Sequence, residues 1–229
     1  MEKKGLSQEG LKIIACITML IDHIGASLIP VIGLRIVGRI AFPIYCFLLA
    51  EGVYHTRSPR HYGARLAIGM ILSEVPFELL FFGSLTGRHT SVMVTLLLGF
   101  LYGVAQKNMT KVFLKVLLLV PFAFAAELLN TDYGAWGVAM IAVFLLIREG
   151  KYRGLIQTIW LAAVCWAMNS ARIPLAGVRI PIEMFAVLSM IPIACYSGRK
   201  VTSSAWVQWG FYLFYPVHLI ALLLIAAFC

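Results

Sequence analysis

Apolar runs follow one another along almost the whole of this chain, with only short polar breaks between them. Nine such runs lie at approximately 11–32, 36–55, 64–83, 91–106, 112–130, 134–149, 154–171, 179–196 and 205–228. About 20 apolar residues cross a bilayer as a helix. In lipid every backbone polar group must be paired internally, so runs of this length become helices. The expected fold is all-α: a polytopic membrane helix bundle of about nine transmembrane helices, one domain over 1–229. The fourth and sixth runs are short and fit a bilayer thinned by their neighbours. Composition agrees, with 61% hydrophobic and 13% charged residues, far more apolar surface than a soluble domain of this length can bury.

The breaks carry turn chemistry: Pro30–Gly33, Ser58–Pro59, Gly83–Gly87, Asn130–Gly134, Glu149–Gly150, Pro174–Gly177 and Ser197–Gly198. Lysine and arginine set the orientation. One side collects Lys3, Lys4, Lys12, Arg57, Arg60, Arg65, Lys107, Lys111, Lys115, Arg148, Lys151, Arg153, Arg199 and Lys200; the other holds Arg35, Arg39, Arg88, Arg172 and Arg179. The richer side is cytoplasmic, which places the amino terminus inside and the carboxyl terminus outside. The polar start and the length of the first run identify it as a retained helix rather than a cleaved signal. A net charge of +9 invites a nucleic-acid reading. It is rejected, because the positive groups sit between spans instead of forming a stripe for phosphate. The five cysteines, Cys16, Cys46, Cys165, Cys195 and Cys229, form no metal spacing and read as small packing residues. No metal site is expected.

Polar groups inside the spans point to function. Asp22 and His23 stand side by side in the run Ile13–Gly33, although an ionisable group at mid-bilayer costs ~2.5–3.5 kcal/mol. A rise of about 1.5 Å per residue puts His23 near the midplane. His218, in Tyr215-Pro216-Val217-His218, reaches a similar depth. Imidazole takes and releases protons near neutral pH, and a carboxylate can orient it. Adjacent helix positions point about 100° apart, so Asp22 is not expected to orient His23 directly; it pairs with Arg39 or holds a packing partner. Glu74 and Glu78 share one helix face across Pro76. The competing reading for both histidines is structural, a hydrogen bond across helices. Arg57, Arg60, His61 and Arg65 are either plain positive-inside charge or a phosphate-holding patch. They lack any P-loop or dinucleotide glycine fingerprint.

Several segments together resemble the TraX family of bacterial membrane proteins. They are Leu11 to Ala15 leading into Met19-Leu20-Ile21-Asp22-His23-Ile24-Gly25, then Gly38 to Tyr45, Glu51-Gly52, His55-Thr56-Arg57 and Tyr62 to Arg65. Ser73 to Phe77, Thr131-Asp132-Tyr133-Gly134, Gly137-Val138 and Phe211 to Leu219 complete the set. The family's named activity is acetylation of the pilin amino terminus. It is also similar to transmembrane acyltransferases that use cytosolic acetyl-CoA, in which a membrane-embedded histidine near the first helix is central. The resemblance implies an acetyl-CoA-dependent acyltransferase in the bacterial cytoplasmic membrane. Its acceptor is a peptide, glycan or lipid bearing an amine or hydroxyl. His23 is then the base or acyl carrier, with Asp22, Arg39, Glu74 and His218 completing the catalytic set. Arg57, Arg60 and Arg65 hold the CoA phosphates, and Glu78, Asp132 and Tyr215 face the acceptor. The alternative is a proton-coupled transporter built on the same intramembrane Asp, His and Glu residues; no inverted repeat supports it.

Overall fold

The structure is a computed structural model that describes residues 5–87, 89–175, 177–202 and 204–228. Lys3, Lys4, Arg88 and Cys229 lie outside the described residues. The elements are α1 (Gln8–Ser27), α2 (Ile32–Gly38), α3 (Ala41–His55), α4 (Pro59–Phe82), α5 (Val92–Gln106), α6 (Val112–Leu128), α7 (Gly134–Leu146) and α8 (Arg153–Ala167). A hairpin of β1 (Arg172–Leu175) and β2 (Val178–Pro181) follows, then a 3-10 helix (Ile182–Ser189), α9 (Met190–Ala194) and α10 (Ala205–Phe228). Three stretches are long and apolar enough to cross a membrane: Gln8–Ser27, Ile32–His55 and Ala205–Phe228. Shorter apolar helices span Val92–Gln106, Gly134–Leu146 and Ile182–Ala194.

Contacts between chain-distant residues give the bundle two ends. At the basal end the start of α1 meets the segment before α10, where Leu6 N–H donates to Cys195 O (2.8 Å) and Gln8 N–H to Arg199 O (2.8 Å). At the same end Glu51 of α3 is bridged by Arg148, from the loop after α7, at 3.0 Å. At the apical end the start of α5 meets the loop after α6, with Thr90 N–H donating to Asn130 O (3.1 Å) and Asp132 N–H to Thr90 O (3.0 Å). The hairpin leads there into the 3-10 helix, whose Glu183 reaches Arg39 at 2.9 Å. Successive helices therefore alternate in direction between these two ends.

Helix limits follow local chemistry. Helix α1 starts earlier than the apolar run because Ser7 caps it, its Oγ accepting from Gly10 N–H at 3.1 Å. It ends at Ser27 rather than 32, since the residue before Pro30 is pushed out of the helical region. Proline at the first turn opens α4 at Pro59. The expected helix 36–55 starts earlier, at Ile32, and is divided into α2 and α3 by Arg39 and Ile40, whose backbone stays in the helical region, so that Ile32–His55 forms one stretch. The expected helix 179–196 is replaced at its start by the hairpin, where Gly177 takes φ 81°, and continues as a 3-10 segment. This small hairpin departs from a purely helical fold.

Helix α7 is the hub: Val138 and Met140 to Leu145 are all at most 2% exposed. A helix apolar all round belongs inside. Helix α6 is the opposite case. Ala126 is its only buried residue, and Phe113, Leu117, Val120, Phe124 and Leu128 are exposed. A surface of that kind suits lipid rather than water.

Candidate functional site

The ends of α1, α2 and the 3-10 helix enclose a buried charge cluster. Asp22 Oδ2 accepts from Arg39 Nη2 at 2.5 Å and from Arg35 Nη1 at 2.7 Å. Arg39 Nη1 reaches across to Glu183 Oε1 at 2.9 Å. Two carboxylates and two guanidiniums cancel formally, the condition for keeping charge at this depth. Asp22, Arg39 and Glu183 are each under a tenth exposed. Gly38 lets α2 approach α1 this closely, because a Cβ there would lie 2.1 Å from the Asp22 Cβ. The Asp22–Arg39 pairing is the one expected from the sequence. Arg39 thereby clamps three elements, and Asp22 is turned towards arginine instead of the adjacent imidazole.

His23 points elsewhere. Its Nδ1 lies 2.7 Å from Nε2 of His218 on α10, with the two rings stacked at 4.9 Å between centroids. The rings of Phe81 and Tyr215 stand edge-on to His23 at 5.2 and 6.0 Å. His218 is buried, and its Nδ1 lies 2.8 Å from Phe214 O. The sequence picked out both histidines, and the fold brings them into contact across 195 residues.

Glu74 does not orient either one. Its carboxylate accepts from Ser91 N–H at 3.1 Å and from Ser91 Oγ at 2.6 Å, so it caps the start of α5. The physical reason is proximity: the loop after α4 brings a helix amino terminus, with unpaired N–H groups and positive dipole, onto that carboxylate. Glu78 is buried on the same helix, its Oε1 without a hydrogen-bond partner among the described residues, and it lines neither of the two cavities.

Two cavities approach the histidine pair from opposite ends. The basal one has a volume of about 900 Å³, at the upper end of the ~300–1,000 Å³ typical of small-molecule sites. Lys12, Arg57, Arg65 and Lys200 line it with His55 and His61. Its Glu51 is committed to Arg148. Arg65 packs over the rings of Tyr62 and Tyr212, which fixes a guanidinium in the cavity wall. Arg60 is exposed and does not line this cavity. Tyr215 lines the basal cavity, not the apical one. Lys12 and Lys200 complete the basic lining. Sequence reading counted them only as topological charge; Lys12 alone carried a signal, a position just inside the first run.

The apical cavity, about 210 Å³, is lined by Asp22, His23, Arg35, Arg39, Phe81, Asp132 and Tyr133, among others. Asp132 sits in the loop between α6 and α7. Solvent reaches it through the cavity, but the protein around it makes ionisation costly, and its pKa is pushed up to about 6. Arg39 opposes that rise, while Asp22 and Glu183 add to it. Met19, Tyr45 and Val92 line both cavities. A wall of three side chains therefore separates a basic basal chamber from an apical chamber that holds the histidine. Glu183 and Tyr133 belong to this site although the sequence reading gave neither a role; Glu183 was visible only as a lone acid at the start of an apolar run.

The family model for TraX protein matches residues 7–226. This chain belongs to the TraX family. The chain is similar to the probable fimbrial assembly protein FimC, serogroup H1, of Dichelobacter nodosus, 31% identical over 239 residues, covering 91% of both chains. The uncharacterized protein RP591 of Rickettsia prowazekii (strain Madrid E) is 31% identical over 146 residues, covering 61% of this chain and 54% of its own. No solved structure matches this TraX member.

Proposed function

We propose that this protein is a membrane-embedded acyltransferase that moves an acetyl group from cytosolic acetyl-CoA to an acceptor on the other side of the bilayer. The single observation that carries the reading is the pair of cavities meeting at Met19, Tyr45 and Val92, one basic and one containing His23. Lys12, Arg57, Arg65 and Lys200 would hold the CoA phosphates, and the thioester would lie near the shared wall. The acceptor amine or hydroxyl enters from the apical side. His23 takes its proton as the nitrogen or oxygen attacks the thioester carbonyl. The tetrahedral intermediate collapses with cleavage of the C–S bond, and the CoA thiolate leaves with a proton returned from His23. Arg39 and Arg35, paired with Asp22 and Glu183, hold the wall of the apical chamber beside this step.

In this reading the nine passes all cross the bacterial cytoplasmic membrane, with the basal end in the cytoplasm and the carboxyl terminus outside. The name of the Dichelobacter relative supports an acceptor met in fibre assembly, such as a pilin-like peptide amino terminus. Calorimetry of the detergent-solubilised protein with acetyl-CoA tests the donor site. Saturable binding is expected, weakened at least tenfold by Lys12→Ala/Arg65→Ala and unchanged by Arg60→Ala, whose side chain lies outside the cavity. No binding by folded wild-type protein sinks the proposal.

A further inference from the structure

The contacts of His218 decide which nitrogen of His23 carries the proton. A carbonyl oxygen only accepts, so the 2.8 Å contact to Phe214 O requires a proton on His218 Nδ1. In the neutral ring its Nε2 is then a bare acceptor. That Nε2 lies 2.7 Å from His23 Nδ1, so the hydrogen in this bond must come from His23. A neutral His23 protonated at Nδ1 has its lone pair on Nε2. Among the described residues no hydrogen bond occupies that Nε2, and the ring lines the apical cavity. The orientation is fixed as well as the tautomer, since the two rings stack within 15° of parallel and Phe81 and Tyr215 flank His23.

We infer that His218 is a positioning residue that holds His23 in the Nδ1–H tautomer, with Phe214 O as the anchor of the relay, so that His23 Nε2 is the atom that receives the acceptor's proton. The inference rests on the acyl-transfer reading for its use of that lone pair, but the tautomer itself exists with or without transfer. The relay does for His23 what a buried carboxylate does in a hydrolytic triad, namely fix tautomer and orientation. Here the orienter is a neutral ring backed by a helix carbonyl. When Nε2 gains a proton, His23 Nδ1–H still donates to the His218 lone pair, which steadies the imidazolium until the proton passes to the leaving thiolate.

The ring nitrogens of protein labelled with ¹⁵N-histidine report this directly by NMR, with His23→Gln assigning the signal. Wild type and His218→Gln, whose amide oxygen can accept in place of the lost nitrogen, should show His23 protonated at Nδ1 and bare at Nε2. His218→Leu should release His23 to the Nε2–H form. Acetyl transfer should fall ~10²–10⁴-fold in His218→Leu, the range of a lost or mis-set general base, and recover to within about tenfold of wild type in His218→Gln. A bare Nδ1 on wild-type His23, a doubly protonated ring at neutral pH, or a tautomer unmoved in folded His218→Leu would overturn the inference. The expected tautomers without any acetyl-CoA turnover would leave the relay standing and remove the acyltransferase reading instead.

Discussion

Arg39 shows how one side chain can organise a site in this protein. It is 8% exposed and joins α1 to the 3-10 helix by ion pairs at 2.5 and 2.9 Å. Removing it leaves Asp22 and Glu183 buried with one formal positive charge, Arg35, between them. Breaking a buried pair this way costs ~3–5 kcal/mol. Arg39→Leu should therefore lower the thermal midpoint in detergent steeply, and Arg39→Leu with Glu183→Gln should recover part of it; an unchanged midpoint in the single variant would deny the clamp. Asp132 gives a pH signature at the same scale. Its pKa stands at about 6 in the folded protein against an ordinary 3.8, so the folded state holds the extra proton between those values. Its contribution to stability is present below pH 3.8 and is lost as pH rises to 6. Asp132→Asn should flatten that part of the pH–stability curve, measured by thermal melts; an identical slope would assign it to another group.

At the scale of elements, the buried ion pairs gather near helix ends. Helix α1 stops at Ser27 and α2 starts at Ile32, so the chain turns back along α1 and brings Arg35 and Arg39, one turn apart on the same face, onto Asp22. The start of α5 captures Glu74, which makes that carboxylate a cap on the helix. Glu74→Ala should cost ~0.5–2 kcal/mol, the usual worth of a lost cap, and leave transfer per folded molecule within a few-fold of wild type. Loss of transfer as large as that of His23→Ala, by a protein of normal stability, would return Glu74 to the catalytic set. The hairpin β1–β2 escaped the sequence reading because Arg172 to Pro181 is only ten residues long. It is mixed in polarity and has no period of its own; its legible signals were Pro174 and Gly177.

For the whole molecule, the consequential property is that the two cavities open to opposite ends and touch in the middle. Cysteines placed at Arg57 and at Asp132 in a cysteine-free background should react with an impermeant maleimide from opposite faces of sealed membrane vesicles, Arg57 only from the cytoplasmic face. Labelling of both from one face would undo the two-sided arrangement. The sequence by itself determined the helical class, the approximate helices and the polar groups held within apolar runs, because hydropathy is a local property of each segment. It also determined that Asp22 and His23 face apart, which is a matter of helix periodicity. Only the tertiary structure decided the partners. That His23 meets His218 rather than Glu74, that Arg39 spans Asp22 and Glu183, and that Lys12 and Lys200 join Arg65 around one chamber all depend on how distant helices rotate and stack. Packing sets those rotations through close approaches such as Gly38 on Asp22, and no single segment carries that information.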